Sequence, residues 1–398
     1  MTTISQLSQK TKDLSLQSIQ IELKNPNGVQ EGYQDFAKEL PALSRKRLEK
    51  YGIDLSKGYP RRPDHIPIFL DEAYKIRNRP NPNYIERGLN ADPEKKALFG
   101  AATEVVNLTK YIGTEIVGLQ LSDLNEQQLD ELALLIAERV VVVFRKQDLS
   151  PQKQLEIGEY YGEVEEHPLT GQAKKGITVV WNKFNRGGPL IKFQRGAFAG
   201  WHTDLDHEFS PAGITHLHLD STSETGGDTG FISGYGAFDK LSPSFQKFLE
   251  GKVAIHKSAH VYYERDDILS GPKHIEREHP LVVTHPVTGW KSLFVNPAHV
   301  VRIKDLEKEE SDLVLKYLNE VYAKNLDIQV RVHWQPVKED EGVSVIWDNR
   351  ISQHVAISDY NDQWEGPVRH AHRVTSLSTP PVFDPNSKSQ REALGWDN

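Results

Sequence analysis

Apolar residues recur at helical spacing in several stretches of the chain. In EQQLDELALLIAERV (126–140) they follow the i, i+3, i+4 pattern of an amphipathic helix, with Ser122 and Asp123 as candidate caps at its start. SPQKQLEIGEYYGEV (150–164) opens with Ser-Pro, a pair that suits the N-cap and the first helical position, and predicts a second helix. Two further helices are predicted at 242–251 and 307–324.

Short runs rich in β-branched residues dominate the chain after residue 175. The apolar run VVVVFR (140–145) already follows the first predicted helix and is typical of a buried strand. The later runs are punctuated by Gly, Pro and Asn and predict strands at GITVVWN, GITHLHLDS, GDTGFISG, LVVTHP, KSLFVN, IQVRVHWQP, VSVIWDN and HRVTSLS. Many short strands bracketed by helices predict a mainly β fold, with a jelly-roll core that carries helices on one face.

The start of the chain has a different character, being polar, Pro-containing and weakly periodic. YPRRPDHIP (59–67) and NRPNPNY (78–84) predict extended and turn segments, because Pro and the residue before it disfavour a helix. We therefore predict an N-terminal extension over 1–103, partly disordered or wrapping the core, a main domain over 104–382 and a C-terminal tail over 383–398.

Charge and hydropathy restrict the class of protein. The formal charge of −8 and the pI near 6.1 give no reason to expect a nucleic acid as partner. No run of about 18 apolar residues occurs, so no membrane span is predicted. The N-terminus lacks the apolar region of a secretory signal, and a cytoplasmic location is expected.

The chain is depleted in sulfur. It has no Cys, and its single Met is the initiator, whereas ordinary usage predicts roughly a dozen or more sulfur-containing residues in a chain of this length. Resistance to oxidation or drift would account for the depletion, and so would synthesis of the protein when sulfur is scarce. The absence of Cys excludes disulfides, thiolate metal sites and Cys nucleophiles.

A His-x-Asp triplet, a common source of metal ligands, occurs twice. His202 and Asp204 form the first, and the surrounding AFAGWHTDLDHEF suits a loop that opens onto a site. His218 and Asp220 form the second, within an alternating strand pattern in which His216 and His218 share one face, and we interpret this pair as structural. Residues i and i+2 of a strand can reach one ion, but with 16 His in the chain one or two such triplets are expected by chance, so the triplet alone decides nothing.

A longer series of motifs makes the chain resemble a known family. The segments are TEIVGLQLSDL, VVVVFRKQDLS, YYGEVEEHP, WHTDL, GGDT, LFVN, WDNRISQHVA and RHAHRVT, and they run in family order from about residue 104 to 380. In these segments the chain resembles the taurine dioxygenase (TauD) family, and within it the fungal sulfonate/2-oxoglutarate dioxygenases. The resemblance implies a double-stranded β-helix core and an oxygenase that uses Fe(II), 2-oxoglutarate as co-substrate and O₂.

The resemblance also implies which residues hold these groups. Iron would be bound by His202, Asp204 and His354, which would then be the catalytic centre. Thr229, at the end of GGDT, would hydrogen-bond the distal carboxylate of 2-oxoglutarate. Arg369 would pair with the same carboxylate in the bidentate way that a guanidinium favours.

Substrate residues follow from the sulfonate-using relatives. Arg373 and His167 match the positions that bind the sulfonate there. Bacterial taurine enzymes have Asn shortly before His-x-Asp, where this chain has GAFAG with Phe198 as the expected occupant, and Tyr where it has Thr170. These departures imply a less polar pocket that would take other alkyl or aryl sulfonates, sulfate esters or carboxylates.

The sulfur depletion and the resemblance together predict a sulfonate dioxygenase that releases sulfite and an aldehyde for sulfur scavenging. An alkylsulfatase, or a biosynthetic 2-oxoglutarate oxygenase acting on a carboxylate or amino acid, is the main alternative. A jelly-roll binding module without catalysis would be expected to have lost a ligand, which this sequence has not. The resemblance further implies a homo-oligomer, a dimer or a tetramer.

Overall fold

The structure, a computed structural model, describes residues 35–61, 63, 65–78, 80, 81, 83–167, 170–181, 200–334, 338, 341–357, 359 and 369–396. Its helices are α1 (Ala42–Lys50), α2 (Leu70–Arg77), α3 (Lys96–Ala101), α4 (Glu126–Arg139), α5 (Pro151–Tyr161), α6 (Gly234–Asp239), α7 (Pro243–Leu249), α8 (Lys308–Lys324) and α9 (Gln390–Leu394). Its strands are β1 (Glu104–Asn107), β2 (Thr114–Val117), β3 (Val141–Gln147), β4 (Gln172–Lys174), β5 (Ile177–Trp181), β6 (Ala212–Ser221), β7 (Thr229–Ser233), β8 (Val253–Lys257), β9 (Glu276–Pro280), β10 (Val282–Thr284), β11 (Trp290–Leu293), β12 (Val300–Ile303), β13 (Gln329–Val332), β14 (Gly342–Asp348), β15 (Ser352–Ala356), β16 (His370–Leu377) and β17 (Lys388–Ser389).

An eight-stranded sheet, in the order β1-β2-β3-β14-β6-β16-β5-β4, forms the centre of the fold. A three-stranded sheet, β13-β7-β15, shares a buried core with it, since Phe231 and Val332 of the small sheet pack with Leu217 and Val345 of the large one. Every strand predicted after residue 175 is present, as β5, β6, β7, β10, β11, β13, β14 and β16. The predicted jelly-roll core with flanking helices is confirmed.

Side chains of the central strands alternate between two cores, as the two-residue repeat of a strand requires. In β3, Val141 and Val143 face the inner core between the two sheets, whereas Val142 and Phe144 face an outer core formed with α4 and α5. All four are 0% exposed, and burying a side chain of this size contributes about 1.5–3 kcal/mol to stability. The continuous apolar run therefore reflects a strand that is covered on both faces.

The helices predicted from apolar spacing are confirmed, but one cap prediction is wrong. Asn125 caps α4: its side chain accepts a hydrogen bond from the N–H of Gln128, whose side chain accepts one from the N–H of Asn125. Ser122 and Asp123 lie instead in a short 3-10 turn, so neither reaches the first amides of the helix. Ser150 caps α5 as predicted.

The N-terminal extension packs on the outer face of the large sheet. Leu48 of α1 and Tyr59 belong to one apolar cluster with Trp181 of β5 and Val374 of β16. A backbone bridge pairs Arg61 with β4. The sequence pattern did not predict α1, α2 or α3, which belong to this extension.

The C-terminal tail contributes β17, which pairs with β11, and then α9. Among the residues that the structure describes, no helix is long and apolar enough to cross a membrane.

Candidate active site

His202, Asp204 and His354 lie together and offer ligand atoms within 4.8 Å of one another. Nε2 of His202 is 3.6 Å from Oδ1 of Asp204, and Nε2 of His354 is 3.8 Å from Oδ2. The side chain of His202 is 36% exposed, whereas those of the other two are 9% exposed. The cluster is therefore open to solvent on the side of His202.

Backbone pairing keeps the two histidines together although they are far apart in the sequence. The N–H of His202 donates to the carbonyl of His354 at 3.0 Å, and the reverse bond is 2.8 Å. The hydroxyl of Thr203 donates to the carbonyl of Ser352 at 2.7 Å. Asp204 then begins a turn, which returns its carboxylate toward both imidazoles. The first His-x-Asp triplet thus lies in a loop at the edge of the small sheet.

In its neutral form each histidine can ligate a metal, and the neighbouring groups shift the pKa values of the two rings in opposite directions. Nδ1 of His202 lies 2.8 Å from the carbonyl oxygen of Gly200, which can only accept, so Nδ1 carries the proton and Nε2 presents a lone pair. Burial lowers the pKa of His202, but the hydrogen bond and charge of Asp204 outweigh burial, and the pKa is raised. Burial, assisted by the charge of His202, lowers the pKa of His354 to about 3. Nδ1 of His354 has no hydrogen-bond partner among the described residues.

These side chains fit a divalent iron ion. Two imidazoles and one carboxylate on one side are the ligand set of non-haem Fe(II) sites that keep positions open. Burial raises the pKa of Asp204, but the charges of Arg373 and His354 outweigh it and hold the pKa well below its usual range. The carboxylate is therefore ionised, as a metal ligand must be.

Thr229 of β7, Trp334 just after β13 and Arg369 just before β16 form a second polar cluster. The hydroxyl oxygen of Thr229 accepts from Nη2 of Arg369 and from Nε1 of Trp334, both at 3.1 Å. With both donors in place, the Thr229 hydroxyl proton points elsewhere and can be donated. In the sheet register Thr229 pairs with Ala356, two residues along β15 from His354, which is about 7 Å along the strand. A buried guanidinium and a hydroxyl donor thus lie near the candidate metal ligands.

Arg373 contacts the His202, Asp204 and His354 cluster directly. Its Nη1 lies 3.1 Å and 3.0 Å from the two carboxylate oxygens of Asp204. Arg369 directly precedes β16 and Arg373 lies in it, so both face the inner side of the sheet, yet one meets Thr229 and the other Asp204. The two guanidinium groups therefore contact different polar side chains.

His167 is buried beside these groups and has a defined tautomer. Its Nδ1 accepts from the backbone N–H of Thr170 at 3.1 Å, so Nε2 carries the proton of the neutral ring. Burial and the charge of Arg77 hold the pKa of His167 well below its ordinary value. A neutral imidazole with a directed N–H is suited to an anionic oxygen. The predicted pocket residue Phe198 lies outside the described residues.

The model of the "Taurine catabolism dioxygenase TauD, TfdA family" matches residues 104–375. The chain belongs to this family. It is an α-ketoglutarate-dependent dioxygenase, the class to which the relatives described next are also assigned.

An α-ketoglutarate-dependent dioxygenase of Penicillium expansum is 37% identical over 81% of this chain and 91% of its own length. An α-ketoglutarate-dependent sulfonate dioxygenase of Saccharomyces cerevisiae is 32% identical over 94% of this chain and 92% of its own. A crystal structure is known of a putative α-ketoglutarate-dependent taurine dioxygenase from Burkholderia xenovorans, whose sequence is 26% identical to this chain. The two structures superpose with a TM-score of 0.59, and the match covers 72% of this chain and 96% of that one. Sequence and fold agree with the family assignment.

The second His-x-Asp triplet of this dioxygenase lies in a hydrogen-bonded network of its own. His218 shares the hydroxyl of Ser344 with His216, each at 2.9 Å. Asp220 accepts from Arg47 at 3.0 Å and pairs with His370 at 2.6 Å. These contacts agree with the predicted structural role, although Nδ1 of His216 and Nε2 of His218 have no hydrogen-bond partner among the described residues.

Sequence reasoning missed several residues that support the site. Trp334 orients Thr229, and no motif marked it. Asp206 lies two residues beyond the candidate ligand Asp204 and accepts from His256 at 2.7 Å and from His299. The acidic cluster after His-x-Asp was visible in the sequence, but its partners come from strands β8 and β12 and their connections, which no local pattern could supply.

Proposed function

We propose that this dioxygenase binds Fe(II) through His202, Asp204 and His354 and hydroxylates the carbon next to sulfur in an organic sulfonate. The observation that carries the proposal is the position of Arg373, whose guanidinium lies 3.0 Å from the carboxylate of Asp204. A cation there would hold an anionic group beside the metal ligand. Bound iron with 2-oxoglutarate and O₂ supplies the oxidising chemistry.

The residues of the chain position the reactants. Arg369 and the hydroxyl of Thr229 would hold the distal carboxylate of 2-oxoglutarate through charge-assisted hydrogen bonds. Arg373 and the Nε2–H of His167 would hold the sulfonate. The hydroxylated carbon would then lose sulfite, so that sulfonate, 2-oxoglutarate and O₂ give an aldehyde, sulfite, succinate and CO₂. Holding both anions at separate cations orients the target C–H bond toward the metal.

The choice of sulfonate over carboxylate rests on two further observations. The S. cerevisiae relative that aligns with 94% of this chain is named a sulfonate dioxygenase. The chain itself contains no Cys and one Met, which suits a protein that is made when sulfur is scarce. A cytoplasmic location and assembly into a dimer or tetramer remain predictions from the sequence.

The test is a joint measurement of succinate and sulfite. The Fe(II)-loaded protein is mixed anaerobically with 2-oxoglutarate, and O₂ is admitted with a panel of sulfonates, sulfate esters and carboxylates. We expect sulfite in equal amount to succinate with at least one sulfonate. Release of sulfate from the esters alone would indicate an alkylsulfatase. Coupled succinate with carboxylates alone would overturn the sulfonate assignment.

Replacing Arg369 by Ala is expected to raise the KM for 2-oxoglutarate by about tenfold to a hundredfold, because a charge-assisted bond contributes about 1.5–3 kcal/mol. The KM for the sulfonate should change little, since Arg373 lies at the other end of the site. Arg369→Lys keeps the positive charge but not the bidentate hydrogen bonding of the guanidinium, and it should recover part of the affinity for 2-oxoglutarate. Equal changes in both KM values would contradict the assigned role.

A further inference from the structure

Asp206, His207 and His299 form a cluster of candidate metal ligands that shares no residue with the candidate iron ligands. Asp206 and His207 lie in the turn that follows Asp204, and His299 lies in the connection that leads to β12. The ligand atoms of the three side chains lie within 4.8 Å of one another, a limit that the candidate iron ligands also meet. The chain therefore brings two histidines and one aspartate together at a second place.

The three side chains are largely buried, and one of their nitrogen atoms has no partner. The side chain of Asp206 is 0% exposed, that of His207 is 7% and that of His299 is 13%. Nδ1 of His207 lies 4.0 Å from Oδ1 of Asp206 and has no hydrogen-bond partner among the described residues. A buried polar atom without a partner loses its hydration and gains nothing in return. A cation bound between this nitrogen and the carboxylate would supply the missing partner.

Neighbouring groups orient two of the three side chains in the way that the surroundings of a bound metal do. Oδ2 of Asp206 accepts a hydrogen bond from Nδ1 of His256 at 2.7 Å, which leaves Oδ1 on the side of His207 and His299. Nε2 of His207 lies 3.4 Å from Oε1 of Glu208. The carboxylate of Glu208 favours the proton of the neutral ring on Nε2, so the lone pair lies on Nδ1. His207 therefore has the tautomer that a ligand at Nδ1 requires.

The side chains of Asp206 and His299 hydrogen-bond to each other through Oδ1 and Nδ1. An ionised carboxylate can only accept, so Nδ1 of His299 carries the proton of this bond. A metal ion bound by both groups would replace that proton, because a histidine must give up a proton at the nitrogen that ligates. Four-coordinate zinc holds its ligand atoms about 3.4 Å apart, so small side-chain rotations would close the cluster around the ion.

We propose that Asp206, His207 and His299 bind a Zn²⁺ ion, which fixes the turn after Asp204 to the connection before β12. Imidazole and carboxylate donors suit Zn²⁺, and three such side chains with one water complete its tetrahedral coordination. Zn²⁺ binds these donors more tightly than Fe²⁺ does, and the buried surroundings retain an ion. The site therefore keeps its zinc when Fe(II) is added to the candidate iron ligands. The proposal does not depend on the substrate that the enzyme oxidises.

The zinc content of each chain distinguishes the two clusters. The chelator-treated protein is dialysed against Zn²⁺, freed of excess metal and measured by inductively coupled plasma mass spectrometry. We expect two zinc ions in the wild type, because Zn²⁺ also accepts the two imidazoles and the carboxylate of the candidate iron ligands. Asp204→Asn and His207→Asn should each hold one ion, and the double variant should hold none.

Asp204→Asn also isolates the second site in a measurement of stability. Zn²⁺ should raise the Tm of this variant by about 3 °C or more, because an ion that binds only the folded chain stabilises it. Addition of His207→Asn should abolish the shift. His299 is the most exposed of the three ligands, so His299→Asn disturbs the core least. This variant decides the question if His207→Asn does not fold.

His65→Asn is the matched control for zinc that binds adventitiously to a surface histidine. Nε2 of His65 lies 2.5 Å from Oε1 of Glu72, but these side chains are 63% and 28% exposed. Among the residues that the structure describes, no third ligand joins this pair. The substitution should change neither the number of zinc ions nor the Tm shift.

The possible zinc contents separate this proposal from the proposed iron site. One ion in the wild type and none in Asp204→Asn would overturn the second site and leave the first. Two ions retained in His207→Asn would also overturn it. A single ion that persists in Asp204→Asn and disappears with His207→Asn would support the second site and contradict the proposed iron ligands.

Discussion

Asp204→Asn is expected to abolish turnover and to leave the protein without stoichiometric Fe(II). The carboxylate is the anionic member of the proposed ligand set, and an amide is a much weaker ligand for Fe(II). Even the loss of an outer hydrogen-bond partner of a metal ligand lowers affinity or activity by about 10–100-fold, so the loss of a ligand should exceed that range. The measurements are anaerobic Fe(II) titration and succinate formation with O₂.

The fold of this variant should persist. Asn keeps the shape of the side chain and an oxygen that can accept from Arg373, which is 19% exposed and therefore partly hydrated. The circular dichroism spectrum should match that of the wild type. Retention of one Fe(II) per chain together with normal succinate formation would exclude Asp204 as a ligand.

Asp220→Asn is expected to have the opposite effect, with iron bound but the fold destabilised by about 3 kcal/mol or more. Asp220 is 2% exposed and bonds to Ser44 at 2.7 Å, to Arg47 at 3.0 Å and to His370 at 2.6 Å. Removing one partner of a buried ion pair leaves the other charge uncompensated, which costs about 3–5 kcal/mol. The same Asp→Asn substitution is thus expected to remove Fe(II) binding and turnover in the first His-x-Asp triplet and stability in the second.

The loss of stability in Asp220→Asn is measured as a decrease in Tm and in the urea concentration at the unfolding midpoint. Asp148→Asn provides a matched control because the Lys50–Asp148 pair also ties α1 to the core, at 2.9 Å, but its side chains are 39% and 51% exposed. Such a pair contributes about 1 kcal/mol or less. Equal Tm values for Asp220→Asn and the wild type would show that the network does not hold α1.

The network around Asp220 also predicts that the stability of the fold decreases at acid pH. Burial raises the pKa of Asp220, but His370 and Arg47 outweigh it and hold the pKa well below the ordinary carboxyl value. A lowered pKa contributes stability that is present above the ordinary value and is lost as pH falls below about 4. The Tm of the wild type should therefore fall more between pH 5 and pH 3 than that of Asp220→Asn.

Local sequence patterns determined much of the fold. The apolar spacing of 126–140 and the Ser-Pro pair at the start of 150–164 predicted α4 and α5, because a helix that buries one full face must repeat its apolar residues. The short β-branched runs predicted β3, β5, β6, β14 and β16 of the large sheet and β7 and β13 of the small one for the same reason, since alternate side chains of each strand enter one core. They did not predict β1, β2, β4 or β15. The series of motifs indicated the family and, through it, the candidate ligands.

Helices with few buried residues have no such apolar spacing in their sequences. Within α1 only Ser44 and Leu48 are buried, and within α2 only Ala73. A helix with one or two buried positions needs no apolar stripe, so its sequence looks like a polar loop. Its stability comes from tertiary contacts such as that of Arg47 with Asp220, which the sequence of the extension cannot reveal.

The tertiary structure alone decided which groups meet. His202-x-Asp204 and His218-x-Asp220 have the same spacing, but the first lies in a loop and the second in β6, and the fold places different groups beside them. His354 pairs with His202 across the edge of the small sheet, whereas Arg47 of the extension neutralises Asp220. The spacing of a triplet determines that two side chains can reach one point, but a third ligand or a neutralising cation arrives through long-range packing. That packing depends on the complete set of buried contacts and cannot be obtained from any one segment.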